Sequence, residues 1–134
     1  MVIGMVTGLF VALHGLLLLL LSVAVIRLRM RHQVGIGDGE VSQLKRAIRV
    51  QSNFIEYVPL CLLIMAALEW QQAHVVGLFV LGALLFIGRV LHAIGLSANA
   101  GESKGRMFGT VATFVVLFVG AIWLLAVSVA SLLG

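Results

Sequence analysis

Polar and charged side chains stand at helical spacing inside an otherwise apolar part of the sequence. Arg49, Asn53 and Glu56 follow one another at positions i, i+4 and i+7. At about 100° per residue, these side chains fall within roughly 60° of one another on one face of a helix. An ionisable residue at membrane depth costs on the order of 3 kcal/mol and is tolerated inside a bundle or beside a water-filled cavity. The spacing therefore predicts a polar helix face that is turned away from lipid.

A second polar group occurs in the next apolar run. Arg89 and His92 lie one helical turn apart there. If the two runs form antiparallel helices, Arg89 comes to about the depth of Glu56, and we expect an ion pair between them. His92 then lies near the level of Asn53, and Arg106 stands over the same end of the bundle.

These groups are of the type that binds an anion. Four cationic side chains would stand at the mouth of the cluster: Arg27, Arg29, Arg49 and Arg106. Guanidinium groups pair well with carboxylates. A purely structural network stays open as an alternative, because polar residues between membrane helices also act as packing contacts worth about 1 kcal/mol per hydrogen bond.

The composition identifies the elements that must position these residues. Of the 134 residues, 62% are hydrophobic and 10% are charged, whereas soluble domains carry about 25% charged residues. Residues 1–26 and 107–134 contain no Asp, Glu, Lys or Arg, and a bilayer core is crossed by roughly 20 apolar residues. We predict an all-α integral membrane protein, a four-transmembrane-helix bundle in one domain (1–134). Its spans are at about 3–26, 46–68, 75–96 and 107–131.

The charge distribution indicates an orientation rather than a nucleic-acid partner. The 9 Lys and Arg against 5 Asp and Glu are too few for a phosphate-binding face. Most of the basic residues lie near the first and third loops, and the second loop, residues 69–74, has none. By the positive-inside rule, loops one and three face the cytoplasm and both termini face the other side. No spacing of His, Cys and carboxylates suggests a metal site.

The polar face also carries a family resemblance. The segment from Arg49 to Pro59 reads R-x3-N-x2-E-Y-x-P, and this pattern resembles the second-helix signature of the MAPEG family, the membrane-associated proteins in eicosanoid and glutathione metabolism. The similarity extends to Arg27-Leu28-Arg29 at the end of the first span and to Gly88-Arg89-Val90-x-His92 in the third. The Gly37-Asp38-Gly39 loop is similar to that of the short bacterial inner-membrane branch.

The resemblance implies a homotrimer that binds glutathione between adjacent subunits near the cytoplasmic side. It implies a microsomal-type glutathione transferase or peroxidase that acts on lipophilic electrophiles or lipid hydroperoxides, with Arg106 stabilising the glutathione thiolate. The glutathione-binding positions that it implies are Arg27, Asp38, Arg49, Asn53, Glu56, Tyr57 and His92.

Two other functions remain open. Leu96 replaces a tyrosine that packs on glutathione in several eukaryotic members, and Met107 replaces a serine of the prostaglandin branch, so a non-catalytic lipid-binding or scaffold protein is the main alternative. A small four-helix multidrug exporter is disfavoured, because such exporters need an acidic residue in the first helix and residues 1–26 contain none.

Four further residues are expected to be structural. His14 is predicted to be a buried or interface histidine, and Cys61 a small buried hydrophobe. Glu69 is interpreted as a solvated loop charge. Gly109, in the last span, is expected to allow close helix packing.

Overall fold

A computed structural model of the chain shows four consecutive helices. The structure describes residues 4–98, 101 and 103–134, and it describes the side chains of all of these except 96–98. The helices are α1 (Met5–His32), α2 (Ser42–Trp70), α3 (Val75–Ala98) and α4 (Lys104–Leu133). Each is long and apolar enough to cross a membrane, which confirms the predicted all-α fold with four spanning helices.

The helices continue past the apolar runs that predicted them. The first ends at His32 rather than at residue 26, so that Arg29, Arg31 and His32 form its last turn. Cationic side chains interact favourably with the negative end of the helix dipole. An apolar run marks the part of a helix that lies in the hydrocarbon, and the helix itself ends where its backbone hydrogen bonds end.

Close approach of α3 and α4 depends on small residues. A Cβ at Gly109 would overlap the backbone oxygen of Gly88 and the Cβ of His92, and a Cβ at Gly88 would lie 2.9 Å from the Cβ of Ala112. Close backbone contact between membrane helices is favoured by small residues. The expectation for Gly109 is therefore confirmed, and the contact brings the polar residues of α3 within reach of α4.

The hydrophobic core is formed by residues of all four helices, with Val116 from α4. Both residues that were predicted to be buried lie inside the bundle. His14 is 1% exposed, its Nδ1 lies 2.7 Å from the backbone oxygen of Phe10, and its ring meets the edge of the Phe86 ring with centroids 5.4 Å apart. Cys61 is buried and free. Both predictions are confirmed.

Glu69 has a different role from the predicted one. It is 7% exposed and lies within α2, where its carboxylate accepts hydrogen bonds from the backbone N–H of Val6 at 2.9 Å and of Thr7 at 2.8 Å. Val6 and Thr7 lie at the beginning of α1, and the N-cap of this helix, Gly4, has no side chain that could accept these hydrogen bonds. The interpretation as a solvated loop charge is wrong, because the free N–H groups at a helix start attract a carboxylate.

We expect Glu69→Gln to lower the stability of the bundle by about 1 kcal/mol, the usual size of an N-cap, because one charged acceptor is lost. Glu69→Ala should lower it further, since both N–H groups then lose their acceptor. The measurement is the thermal unfolding midpoint in detergent. Glu40→Gln, at an exposed loop carboxylate, is the matched control, and equal midpoints for Glu69→Gln and Glu40→Gln would contradict the cap.

Candidate functional site

Arg89 joins three helices in the interior of the bundle. It is 2% exposed. One terminal nitrogen donates to Asn53 Oδ1 on α2 at 2.7 Å and lies 3.0 Å from Nδ1 of His92 on its own helix. The other donates to Thr113 Oγ1 on α4 at 3.2 Å. The guanidinium therefore fixes side chains of α2, α3 and α4 relative to one another.

The structure corrects the predicted ion pair between Glu56 and Arg89. The Glu56 carboxylate lies 3.7 Å from Arg49 on the same helix, and the two side chains are 48% and 60% exposed. Arg89 instead donates a hydrogen bond to Asn53, which lies on the more buried side of the same polar face. The rotation of α2 about its axis decides this outcome, since it turns the amide inward and the carboxylate outward.

A pocket of about 430 Å³ lies at the end of the bundle next to Arg89. Its volume falls within the range of roughly 300–1,000 Å³ that is usual for small-molecule sites. Its walls come from α2, α3 and α4, and the residues that line it are Ser42, Lys45, Arg46, Arg49, Asn53, His92, Arg106 and Thr110. None of these eight is acidic.

The pocket contains four of the eight residues implicated by the sequence in glutathione binding or catalysis. These are Arg49, Asn53, His92 and Arg106. The other four lie outside its lining: Arg27, Asp38, Glu56 and Tyr57.

Glu56 pairs with Arg49, and the other three occupy defined places elsewhere. Arg27 is exposed near the end of α1. Asp38 accepts a hydrogen bond from the backbone N–H of Glu40 at 2.9 Å and so shapes the first loop. The Tyr57 ring meets the edge of Phe114 with centroids 5.3 Å apart. The position of the Leu96 side chain lies outside the described residues.

Four lining residues were not identified from the sequence as site residues. Lys45 and Arg49 are spaced i, i+4, as are Arg106 and Thr110, so extending each helical face by one turn would have found two of them. Arg46 contributes its cationic group as well, and its Nε is buried without a hydrogen-bond partner. Ser42 stands at the first position of α2, and no sequence signal marks it.

The beginning of α4 adds to the positive character of the pocket. Ser103 caps this helix, because its Oγ accepts from the backbone N–H of Arg106 at 3.1 Å. The start of a helix carries a partial positive charge. Together with Lys45, Arg46 and Arg49, it gives the pocket a positive character of the kind that suits an anion.

Comparison with known proteins agrees with this architecture. The model of the MAPEG family matches residues 7–126. The chain is 34% identical over 91 residues to the inner membrane protein YecN of Escherichia coli strain K12, and the alignment covers 68% of this chain and 70% of YecN. YecN of Escherichia coli O6:H1 gives the same identity and coverage. The four spanning helices and the inner-membrane relatives support a multi-pass inner membrane protein. The family match covers most of the sequence and includes residues of all four helices, and the chain therefore belongs to the MAPEG family.

Proposed function

We propose that this protein is a microsomal-type glutathione-dependent transferase or peroxidase, which activates the glutathione thiolate for attack on lipophilic electrophiles or lipid hydroperoxides. The observation that carries the proposal is the convergence of Lys45, Arg46, Arg49 and Arg106 on one pocket. Glutathione carries two carboxylates and, once ionised, a thiolate, and cationic donors suit all three groups.

The residue types fit glutathione as a co-substrate. Lys45, Arg46 and Arg49 supply partners for the two carboxylates, and Arg106 is assigned to the sulfur. A nearby guanidinium lowers the pKa of a thiol, and each unit corresponds to about 1.4 kcal/mol. Glu56, 3.7 Å from Arg49, is available at the edge of the site for the ammonium group of glutathione.

The chemical step needs few protein groups beyond these. In transfer, ionisation releases the thiol proton to water, the sulfur lone pair forms the new C–S bond, and the leaving group departs with the electrons of the bond that breaks. In the peroxidase reaction, two glutathione molecules are oxidised to the disulfide, and the lipid hydroperoxide is reduced to an alcohol and water. The protein stabilises the thiolate in both cases.

A lipophilic second substrate can approach from the bilayer along α4. Thr110, Phe114 and Phe118 follow Arg106 at intervals of four residues, so they continue the same ridge of the helix. Phe114 and Phe118 line a shallow apolar groove of about 330 Å³ together with Val111, Val115 and Val119. The apolar groove and the cationic pocket thus occupy successive turns of one helix.

The proposed assembly is a homotrimer. Arg49 and Glu56 are 60% and 48% exposed on a spanning helix. Charges that face lipid are costly, so a neighbouring subunit is expected to cover this face. Arg27, Asp38 and Tyr57, which lie outside the pocket of one subunit, are then assigned to the part of the site that the neighbour completes.

The non-catalytic alternative, a lipid-binding or scaffold protein, is favoured by Leu96 at the position of a glutathione-packing tyrosine. The groove on α4 would serve such a protein equally well. Thiolate formation separates the two functions, since an enzyme requires it and a lipid-binding protein does not.

Titration of the detergent-purified protein with glutathione near neutral pH should give a saturable thiolate absorbance in the ultraviolet difference spectrum. Arg106→Ala should abolish the signal, because losing the guanidinium raises the pKa of the bound thiol by about one unit or more. Arg31→Ala removes an equal charge from an exposed position in the last turn of α1 and should leave the signal intact. Absence of thiolate at millimolar glutathione would contradict the enzymatic proposal.

Arg46→Gln is expected to weaken glutathione binding roughly tenfold, the effect of losing one charge-assisted hydrogen bond. Arg46 lines the pocket, so its guanidinium is placed to donate to a ligand there. Isothermal titration calorimetry measures the dissociation constant, and Arg31→Gln is the matched control. Equal affinities for Arg46→Gln and the native protein would remove Arg46 from the binding site.

The proposed orientation places loops one and three in the cytoplasm, where the glutathione pool lies. The only cysteine of the chain, Cys61, is buried, so single cysteines can be introduced by Ile36→Cys in loop one and His74→Cys in loop two, both exposed. A membrane-impermeant maleimide should label the loop-two variant in intact spheroplasts and the loop-one variant only after permeabilisation. The reverse pattern would invert the topology.

A further inference from the structure

The floor of the pocket is formed by two side chains that Arg89 holds from behind. Asn53 and His92 line the pocket, and both are bonded to the same terminal nitrogen of Arg89, at 2.7 Å and 3.0 Å. Arg89 itself is 2% exposed and does not belong to the lining. It therefore does not line the pocket itself, and it orients the two lining residues that a ligand would meet.

The chemistry of a guanidinium fixes the direction of both hydrogen bonds. Arginine has N–H donors and no acceptor, so Asn53 Oδ1 and His92 Nδ1 must each supply a lone pair. The amide of Asn53 then has its Nδ2 donor left for the pocket. A neutral His92 with a lone pair on Nδ1 carries its proton on Nε2, so its remaining polar atom is also a donor.

We infer that Arg89 is a positioning residue that makes the pocket floor a pair of hydrogen-bond donors. It holds His92 in its Nε2–H tautomer, and it holds Asn53 with the amide oxygen toward Arg89 and the amide nitrogen toward the pocket. Such a floor favours a ligand group that only accepts, such as a carboxylate, over a group that must donate. In the proposed function this group is a carboxylate of glutathione, and to that extent the inference rests on the proposal. The tautomer of His92 does not depend on it.

The hydroxyl group of Thr110, which also lines the pocket, does not offer a further hydrogen-bond donor to a ligand. Thr110 donates its proton to the backbone oxygen of Arg106 at 3.0 Å, which leaves it an acceptor on α4. Thr113, the remaining partner of Arg89, donates to the backbone oxygen of Gly109 at 2.7 Å and lies outside the lining. The donor pair on the floor is thus set by Arg89.

His14 provides an internal reference, because its geometry requires the opposite tautomer. Its Nδ1 lies 2.7 Å from the backbone oxygen of Phe10, and a carbonyl oxygen only accepts. The proton of His14 therefore stands on Nδ1. The two buried histidines of the bundle should show different tautomers in one sample.

The first test is NMR of protein labelled with ¹⁵N in the histidine rings, in detergent micelles without ligand. Long-range ¹H–¹⁵N correlations distinguish the tautomers, and His92→Gln assigns the signals. We expect Nε2–H for His92 and Nδ1–H for His14. Arg89→Lys, whose ammonium also only donates, should keep the His92 tautomer. Arg89→Met should release it and leave His14 unchanged. An Nδ1–H tautomer for His92 in the native protein overturns the inference, even if no Arg89 variant folds.

The second test reverses the polarity of the floor. Asn53→Asp keeps an oxygen acceptor for Arg89 but presents an oxygen to the pocket in place of the N–H. We expect glutathione binding to weaken at least tenfold, with no decrease in the thermal unfolding midpoint, because the bond to Arg89 is kept. Unchanged glutathione affinity in Asn53→Asp would overturn the inference. If the native protein does not bind glutathione, the proposed function fails and the tautomers alone decide the inference.

Discussion

The burial of one guanidinium constrains the rest of the bundle. Arg89 is 2% exposed within a spanning helix, and among the described residues its hydrogen-bond partners are the uncharged side chains of Asn53, Thr113 and His92. A buried charge without acceptors costs several kcal/mol. Because Asn53 lies on α2 and Thr113 on α4, the hydrogen bonds of the two terminal nitrogens of Arg89 fix the rotation of both helices relative to α3. The same rotations bring Arg49 and Arg106 to the walls of one pocket.

Close helix packing near the pocket and a helix cap at the opposite end both hold the bundle together. Thr113 reaches Arg89 because Gly88 and Gly109 let α3 and α4 approach until a Cβ at Gly109 would overlap the opposite backbone. At the far end, Glu69 ties the beginning of α1 to α2 through two backbone N–H groups. Glu69 stands at the opposite end of α2 from the pocket residues Ser42 and Lys45, so the cap of α1 and the pocket use different residues.

The helices, and four residues that line one pocket, were predictable because long apolar runs and helical spacing are local properties. The i, i+4 relation of Arg49 and Asn53, with His92 and Arg106 at the same depth, places these four residues in one pocket. Two predictions failed for a common reason. Whether Asn53 or Glu56 faces Arg89 depends on a helix rotation of about 60°, and the carboxylate of Glu69 finds a helix start distant in sequence. Neither fact is encoded in local spacing.

In the proposed homotrimer, the exposed pair of Arg49 and Glu56 would link ligand binding to assembly. Arg49 lines the pocket and also lies 3.7 Å from Glu56, so a ligand carboxylate that binds Arg49 competes with the protein's own carboxylate. An ammonium group on the same ligand would restore a partner to Glu56, which favours a zwitterionic end over a simple anion. The competition between a ligand carboxylate and Glu56 for Arg49 is strong only where the local dielectric constant is low. In a single subunit the pair is exposed, so the dielectric constant around it is not low. A neighbouring subunit that covers this face would exclude both lipid and water, and would thereby make the pair selective.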